Sequence, residues 1–265
     1  MIHHLLHALK VIRTMAKLKI SSAMMYRASF WSAFCADLTL FSLQLVFFGV
    51  VAKNGTIGDW TVWHLTVFTG SFVALDGLFM ATYFFGVLSL PEKIRTGTLD
   101  LVIVKPVGAL WFVSFGELDI GSFALCGIGL IITGVGAAQL GVLTLPNCLR
   151  FVAALLLMYL LLYSISLCIR CAAFWLTKVD ALQDVENTLM DMSFRLPAPA
   201  IHGAWRVLLF VILPYGLIAN LPSLAMFGQM RPVYWLLCTV VTAFFFGLAL
   251  LLWNRGMKRY DSSSA

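Results

Sequence analysis

The feature that most constrains this chain is a succession of long apolar runs separated by short polar stretches. A transmembrane helix needs about 20 consecutive apolar residues. Six runs meet that length, at residues 30–52, 63–90, 110–138, 150–177, 205–224 and 233–253. Only 11% of the 265 residues are charged, against roughly 25% in a soluble domain. The sequence therefore predicts an all-α membrane protein with six transmembrane helices, folded as one domain over residues 1–265.

Residues 2–20 predict an amphipathic helix that lies in the membrane interface. Apolar residues recur there every three or four positions, and histidine, lysine and arginine fill the opposite side. A basic amphipathic helix of this kind binds the lipid surface without crossing it; packing on a soluble partner is the alternative. The first spanning run begins near Phe30 without a small-residue cleavage site before it, so we expect it to stay in the membrane as an anchor.

The distribution of basic residues predicts the orientation. If the N-terminus is inside, fourteen Lys and Arg residues fall on the inner side, and only Lys53, Arg150 and Arg231 fall on the outer side. Cytoplasmic loops carry the excess of basic residues, so we expect both termini in the cytoplasm. The net charge of +6 is then explained by membrane edges and anionic lipid rather than by nucleic acid.

A short charged segment, residues 91–106, separates the second and third apolar runs. Pro91 suits the first turn of a helix, and Glu92 complements the positive end of the helix dipole. Gly97 is where such a helix is expected to end, because the left-handed conformation favours glycine. The segment predicts a cytoplasmic helix of one or two turns, with Ile94 as an exposed apolar contact for a soluble partner.

Several ionisable residues fall inside the apolar runs. They are Asp37, Asp76, Glu117, Asp119 and Arg170. A charged side chain at the centre of a membrane helix costs about 2.5–3.5 kcal/mol, so these groups should face protein or water. Two interpretations remain open: Asp37, Glu117, Asp119 and Arg170 form an interhelical clamp, or they line a polar route for substrate together with Asp76.

The connection at residues 178–204 combines acidic residues with apolar residues at helical spacing. We expect the fourth span to continue there as an amphipathic cytoplasmic helix, which ends at the break around Pro197. Its acidic residues form a solvated face or contact a basic partner surface.

The fifth apolar region is interrupted by residues that disturb a helix. They are Pro214, Gly216, Asn220 and Pro222. Broken helices occur at membrane depth where protein shields the backbone or the backbone lines a cavity. Residues 214–230 therefore predict a kinked or re-entrant outer segment, either a candidate outer gate or a simple proline kink.

The sequence carries no recognisable enzyme motif. It lacks the phosphate-binding GxxxxGK[ST] loop, the HExxH zinc motif and the GxSxG nucleophile motif. Six cysteines lie almost wholly in apolar runs, where they act as small buried hydrophobes. Cys168 and Cys171 form a CxxC pair, but no other metal-type ligands are near them. We predict no catalytic residue and no metal site.

Two stretches carry a resemblance to a known family. The run from Ile94 to Asp100, followed by Lys105-Pro106, resembles the I-x-x-G-x-L-D…K/R-P motif of bacterial ABC transporter permeases of the type-2 exporter superfamily. The stretch from Phe194 to Pro222 is similar to the same family's pattern around the fifth span, although Met192-Ser193 stands where a more aromatic run is expected. With the six predicted spans, the resemblance covers nearly the whole chain.

The resemblance implies a permease subunit of an ATP-driven exporter in the bacterial inner membrane. Such a subunit pairs with a second copy or a sister permease, and it binds two cytoplasmic ATPase subunits that hold ATP and magnesium; this chain needs no cofactor of its own. Membrane lipids surround it, and nucleic acid is not a partner.

In that family the segment after the second span is the coupling helix. The resemblance therefore assigns contact with the ATPase to Glu92, Lys93, Ile94, Arg95, Gly97, Leu99 and Asp100. The competing class is a secondary transporter with Asp76 as its proton site, or a membrane scaffold, neither with an ATPase. The substrate stays open, because apolar spans suit lipids, amphiphilic drugs and peptides equally.

Overall fold

The computed structural model describes residues 27–54, 57–106 and 108–263, and the predicted interface helix at residues 2–20 lies outside these ranges. The described residues form helices joined by short turns. The α-helices are α1 (Arg27–Asn54), α2 (Val62–Phe79), α3 (Phe85–Leu88), α4 (Leu90–Arg95), α5 (Asp100–Ile103), α6 (Ala109–Phe115), α7 (Gly121–Gln139), α8 (Leu145–Cys171), α9 (Asp180–Arg195), α10 (Ala204–Val207), α11 (Tyr215–Met226) and α12 (Pro232–Ser263). Two π-helical segments, Met80–Phe84 and Leu208–Ile212, and two 3-10 turns, Ala172–Phe174 and Ala198–Ala200, join some of them.

Within the described ranges, four helices are long and apolar enough to cross a membrane. They are Val62–Arg95, Gly121–Gln139, Leu145–Phe174 and Pro232–Tyr260. A bent pair, Ala204–Phe210 and Tyr215–Met226, makes five if the pair is counted as one span. Among the described residues of α1, the apolar stretch is Leu38–Val51. The membrane character of the fold is thus supported, while six spans remain a prediction.

The centre of the bundle is the contact between α2 and α7. A Cβ atom on Gly129 of α7 would lie 2.2 Å from the backbone nitrogen of Ala74, and one on Gly77 of α2 would lie 2.4 Å from the backbone nitrogen of Cys126. Small residues let membrane helices approach this closely, and the gain in packing drives their association. We call this contact the glycine seam. Further helices pack around it, with α8 against α11 and α12.

The predicted third span, residues 110–138, is wrong as a single helix, because α6 ends at Phe115 and α7 begins at Gly121. Asp119 explains the restart. Its carboxylate accepts hydrogen bonds from the backbone nitrogen (3.2 Å) and the hydroxyl (2.6 Å) of Ser122, as an N-terminal cap does. The backbone nitrogen of Asp119 donates to the carbonyl of Ala81 at 3.1 Å. The break therefore lies against the π-helical segment of the second span.

Helix α9 does not extend beyond the bundle as predicted, because it returns along α8. Glu186 of α9 pairs with Arg170 near the end of α8. Further along, the ring centroid of Phe194 lies 4.5 Å from that of Phe72 in α2. Pro199 then packs against Gly58, just before α2 begins. The prediction that the fourth span continues into this helix is therefore wrong, while the predicted helix end before Pro197 is confirmed.

We name the two ends of the bundle after one residue at each, as the Lys93 end and the Trp60 end. Helix α9 starts at the Lys93 end, and the chain reaches the Trp60 end at Pro199.

The predicted fifth span, residues 205–224, is interrupted as its sequence predicts. Its two halves meet at 84°, with the bend at Leu213-Pro214. The chain enters this segment from the Trp60 end, and it leaves at the same end, where the ring centroid of Phe227 lies 5.6 Å from that of Trp60. The predicted kink is therefore present, in a bent segment that begins earlier than the predicted 214–230, while a re-entrant course in the membrane stays a prediction.

Candidate functional site

A cavity of about 780 Å³ lies between α1, α2 and α9. The first two helices contribute mainly apolar residues, while α9 contributes most of the polar ones. The lining comprises Leu40, Phe41, Leu43, Gln44, Phe47, Phe72, Asp76, Phe79, Met80, Phe84, Leu162, Arg170, Glu186, Asn187, Met190, Asp191, Phe194, Arg195 and Leu196. Ligand sites in proteins have this character, with mostly apolar walls and a few placed polar groups.

The cavity opens to the outside of the chain. On the α1 side Leu40, Leu43 and Phe47 are 55–62% exposed. On the α9 side Asp191 and Arg195 are exposed as well. The opening therefore has one apolar border and one charged border.

The charged border belongs to a longer stripe along α9. Asp184, Asn187, Thr188, Asp191 and Arg195 are all exposed, and their spacing of three or four residues places them on one side of the helix. We call them the polar stripe. Since α9 runs through the depth of the bundle, the stripe would face lipid if this chain stood alone, at a cost of about 2.5–3.5 kcal/mol for a centrally placed charge. The stripe therefore needs water or a second protein chain beside it.

A buried ion pair fixes the opposite side of α9. Arg170 and Glu186 pair directly, and their side chains are only 3% and 4% exposed. The hydroxyl of Ser166 donates a hydrogen bond to the second carboxylate oxygen of Glu186 at 2.5 Å. The pair thereby ties α9 to α8 at the wall of the cavity.

Of the four groups predicted to meet near one membrane depth, the three whose side chains the structure describes have separate partners. Arg170 pairs with Glu186, Glu117 pairs with Lys93, and Asp119 caps α7. The side chain of Asp37 lies outside the described residues. A clamp that joins Arg170 to Glu117 and Asp119 is therefore wrong, because packing gives these side chains other partners.

Asp76 and Arg170 line the same cavity, and the polar route for substrate stays a prediction. Sequence reasoning missed Glu186 as a member of this site. The available signal was its position three and seven residues before Leu189 and Ser193, which share its buried side of α9.

The predicted coupling segment lies at the Lys93 end of the bundle. Helix α4 is not a separate surface helix, since it continues the second span through Ser89. Gly97 has a φ of +73°, and the backbone nitrogen of Leu99 bonds to the carbonyl of Lys93 at 3.1 Å. The predicted left-handed helix end at Gly97 is therefore confirmed.

An ion pair joins this segment to the third span. The Lys93 ammonium lies 2.7 Å from the carboxylate of Glu117 and donates to the Ser89 hydroxyl at 2.6 Å. We call this the Lys93–Glu117 clasp. Glu92 and Arg95 form a second pair at 2.8 Å on the surface, where both are well exposed.

The exposed apolar side chains of this segment are not at the position predicted for them. Ile94 is only partly exposed and packs against the core, so it is not a free apolar knob. Leu99 is fully buried. The exposed apolar residues come next along the chain: Leu101 is 65% exposed and Val104 is 80% exposed. We call Leu101, Ile103 and Val104, in and just after α5, the α5 patch; Asp100 lies in the first turn of α5.

A family model described as "ABC-2 family transporter protein" matches residues 36–264. The chain belongs to the ABC-2 transporter family. It is thus a membrane subunit of an ABC transporter, a transport component rather than an enzyme. The comparisons with curated proteins and with solved structures found no significant match.

The residues of the predicted outer gate of this ABC-2 subunit lie in the bent segment, residues 204–226. Asn220 is buried, and its side chain accepts a hydrogen bond from the backbone of Ala198 at 2.6 Å and donates one to the carbonyl of Gly216 at 3.0 Å. Pro214 stands at the bend, and Pro222 lies inside α11. None of the four predicted gate residues is among those that line the cavity.

No cluster of metal-ligating residues is found in the described part of this ABC-2 subunit.

Proposed function

We propose that this chain forms one half of the substrate pathway of an ATP-driven exporter. The cavity and the polar stripe make up this half, and the same surfaces of a second copy or of a sister permease complete it. The observation that carries the proposal is the polar stripe on α9. Its charges cross the bundle on an exposed face, and a second permease with water between the two chains removes the cost of placing them in lipid.

The α5 patch is the contact for the ATPase, with one ATPase subunit for each permease. Its apolar side chains stand beside the charged Glu92, Arg95 and Lys105, all of which are exposed. An apolar centre with a polar rim is the usual anatomy of a protein interface. The basic residues of this segment support a cytoplasmic position, where a soluble ATPase can bind.

A displacement of the α5 patch can be transmitted to the cavity through a few connected segments. Helix α4 runs through Ser89 and α3 into the π-helical segment Met80–Phe84, whose terminal residues line the cavity. The Lys93–Glu117 clasp carries the same displacement to the start of the third span. A π-helical turn interrupts the regular hydrogen-bond ladder, and long helices bend at such places.

ATP binding closes the ATPase dimer and moves this segment as one body, which shifts the packing between an inward and an outward form. Export is the direction that the family resemblance supports.

The test is co-purification with the ABC ATPases encoded in the same genome. The native chain is compared with Leu101→Asp/Val104→Asp, and with Leu143→Asp as a matched control. Leu143 is also exposed, at 51%, but it precedes α8 at the Trp60 end. We expect the native chain and the control to retain the ATPase, and the double variant to lose it while inserting normally.

If none of these chains retains an ATPase, even with a sister permease present, the proposal fails. Transport that follows a proton gradient without ATP then supports the secondary-transporter alternative, with Asp76 as the next residue to change.

A further inference from the structure

We propose that one exposed side of α12 binds an anionic phospholipid in the leaflet at the Lys93 end of the bundle. The phosphate group lies at Arg255 and Lys258, and the acyl chains lie along the apolar residues that precede them on the helix. This inference goes beyond the proposed function and depends neither on the cavity nor on the ATPase contact. It requires only that α12 crosses the membrane.

The exposed side of α12 changes from apolar to basic along the helix. Five large apolar residues on it are 42–71% exposed, namely Val233, Leu237, Val240, Phe244 and Leu251. Arg255 and Lys258 are exposed as well, and they continue the same spacing of three, four or seven residues. This spacing places all of these residues on one side of the helix. We call them the α12 face.

The basic part of the α12 face lies where the helix reaches the lipid head groups. No charged residue occurs in the stretch 232–253, and Arg255 is the first one after it. From Phe244 to Arg255 the helix rises by about 17 Å at 1.5 Å per residue, which is roughly half of the hydrocarbon thickness of about 30 Å. This part of the face therefore has the length of one leaflet.

The other side of the same helical turns is fixed in the bundle. The ring centroid of Phe174 lies 6.0 Å from that of Trp253 and 6.4 Å from that of Tyr260, and Gly256 packs directly on the Phe174 ring. The turn Ala172–Phe174 also contacts α4, which places this end of α12 at the Lys93 end. The helix is thus held from one side, and its basic residues are directed away from the bundle.

The basic side chains of the α12 face call for an anion. Within the described part of the chain, neither Arg255 nor Lys258 forms an ion pair. Residues 254–261 hold three basic residues and one acidic residue, Asp261, which leaves a net charge of +2, and residues 1–26 hold no acidic residue. Phosphate suits these groups, because a guanidinium can donate two parallel hydrogen bonds to it.

The apolar part of the α12 face offers room for an acyl chain. Gly247 lies on the same side between Phe244 and Leu251, and a Cβ atom at Gly247 would meet no atom within 4 Å. The missing side chain leaves a shallow notch between two larger ones. An acyl chain in this notch contacts both neighbours, while its head group reaches Arg255.

The charge of the α12 face argues against a second copy of this chain as its occupant. Two copies in one membrane are related by a two-fold axis along the membrane normal, so a shared face places equal residues opposite each other. Arg255 and Lys258 of one chain would then lie beside those of the other. Like charges repel, whereas an anionic lipid neutralises each face separately.

The experiment compares two lipids with the same acyl chains and different head groups. Dioleoyl phosphatidylglycerol and dioleoyl phosphatidylcholine are titrated into the full-length permease in detergent micelles, and bound lipids are counted by native mass spectrometry. We expect phosphatidylglycerol to bind more tightly by on the order of tenfold, because each basic residue near anionic lipid contributes a factor of about five.

The variants assign this preference to the α12 face. Arg255→Gln/Lys258→Gln should weaken the binding of phosphatidylglycerol by on the order of tenfold and leave phosphatidylcholine unchanged. Arg231→Gln is the matched control, since this exposed arginine lies just before the other end of the same helix. Equal binding of the two lipids by the native chain, or an unchanged preference in the double variant, overturns the inference.

Two further measurements distinguish a lipid from other occupants. Free glycerol phosphate should not displace phosphatidylglycerol, and displacement would overturn the lipid proposal in favour of a simple anion site. In a cysteine-free background, Phe244→Cys should not form disulfide-linked dimers in the membrane, whereas a dimer would show that a second copy covers this face. These measurements do not use the ATPase, so their failure leaves the proposed function unaffected, and loss of ATPase binding leaves the lipid site unaffected.

Discussion

At the scale of single residues, the position of α9 depends on the pair Arg170–Glu186. A buried pair contributes little net stability compared with apolar residues, but removal of one partner leaves a charge without compensation. The partners are sixteen residues apart in sequence and meet only because the chain turns back at Ala172–Phe174. The sequence could therefore identify Arg170 as a buried group that needs an acid, but it could not identify which acid.

Replacement of one member of this pair should destabilise the protein strongly. For Glu186→Met we expect a loss of about 3–5 kcal/mol in the free energy of unfolding, because the Arg170 charge stays buried. The double variant Arg170→Met/Glu186→Met should recover most of that loss. Denaturant unfolding in detergent micelles measures both.

The exposed pair Glu92–Arg95 supplies the control, since Glu92→Met should cost about 1 kcal/mol or less. A double variant as unstable as the single one would show that the ion pair does not explain the effect.

Features that depend on a few neighbouring residues could be predicted from the sequence, whereas features that depend on distant helices could not. Gly97 was predicted correctly as a left-handed helix end because that conformation depends on a few neighbouring residues. Ile94 and Leu99 were expected at a contact surface, yet one is half-buried and the other buried, since their exposure depends on helices distant in sequence.

At the scale of elements, the glycine seam between α2 and α7 is the most exacting contact. Gly129 faces the backbone of Ala74, which cannot move aside as a side chain can. The apolar run that forms α7 was evident from the sequence, but the face with which it packs was not. The break between α6 and α7 was missed for a related reason, because it depends on a hydrogen bond between Asp119 and Ala81.

A methyl group at the seam should separate the two helices. We expect Gly129→Ala to lower the free energy of unfolding by about 1–3 kcal/mol through overpacking. Gly127→Ala and Gly134→Ala are matched controls on the same helix, because a Cβ at either position meets no atom within 4 Å. They should unfold at the native temperature or slightly above it, since alanine favours helix. Thermal unfolding of the purified variants checks this order.

At the scale of the whole molecule, the polar stripe on α9 determines whether lipid, water or a second protein chain can lie beside this helix. The sequence showed these acids, but their high polarity made α9 look like a cytoplasmic element. Only the contacts of Glu186, Phe194 and Pro199 place it within the bundle. The length of an apolar run predicts helices that face lipid, but it does not identify a polar helix such as α9 that packs within the bundle.

The stripe should be accessible to water in the assembled transporter. In a cysteine-free background, we expect Asn187→Cys to react with a charged thiol reagent faster than Ile131→Cys by on the order of tenfold or more. Ile131 is the control because it is 67% exposed on α7 in an apolar surrounding. Reaction rates in proteoliposomes measure the difference. An unreactive Asn187→Cys in every nucleotide state would contradict a water-filled pathway along α9.

The rest of the chain buries a smaller fraction of helix α12 than of the other candidate spanning helices. Only 17% of its most apolar stretch is buried, against 56% for the second span. The helix Pro232–Tyr260 has 29 residues, and its uncharged stretch, residues 232–253, is about 33 Å long at 1.5 Å per residue, close to the thickness of the hydrocarbon layer of about 30 Å. A thinner bilayer therefore favours a larger tilt of this helix, and a thicker one a smaller tilt. Because α12 packs on α8, the length of the surrounding acyl chains becomes a variable that sets the angle of α8, and transport rates should depend on lipid chain length even when head-group composition is held constant.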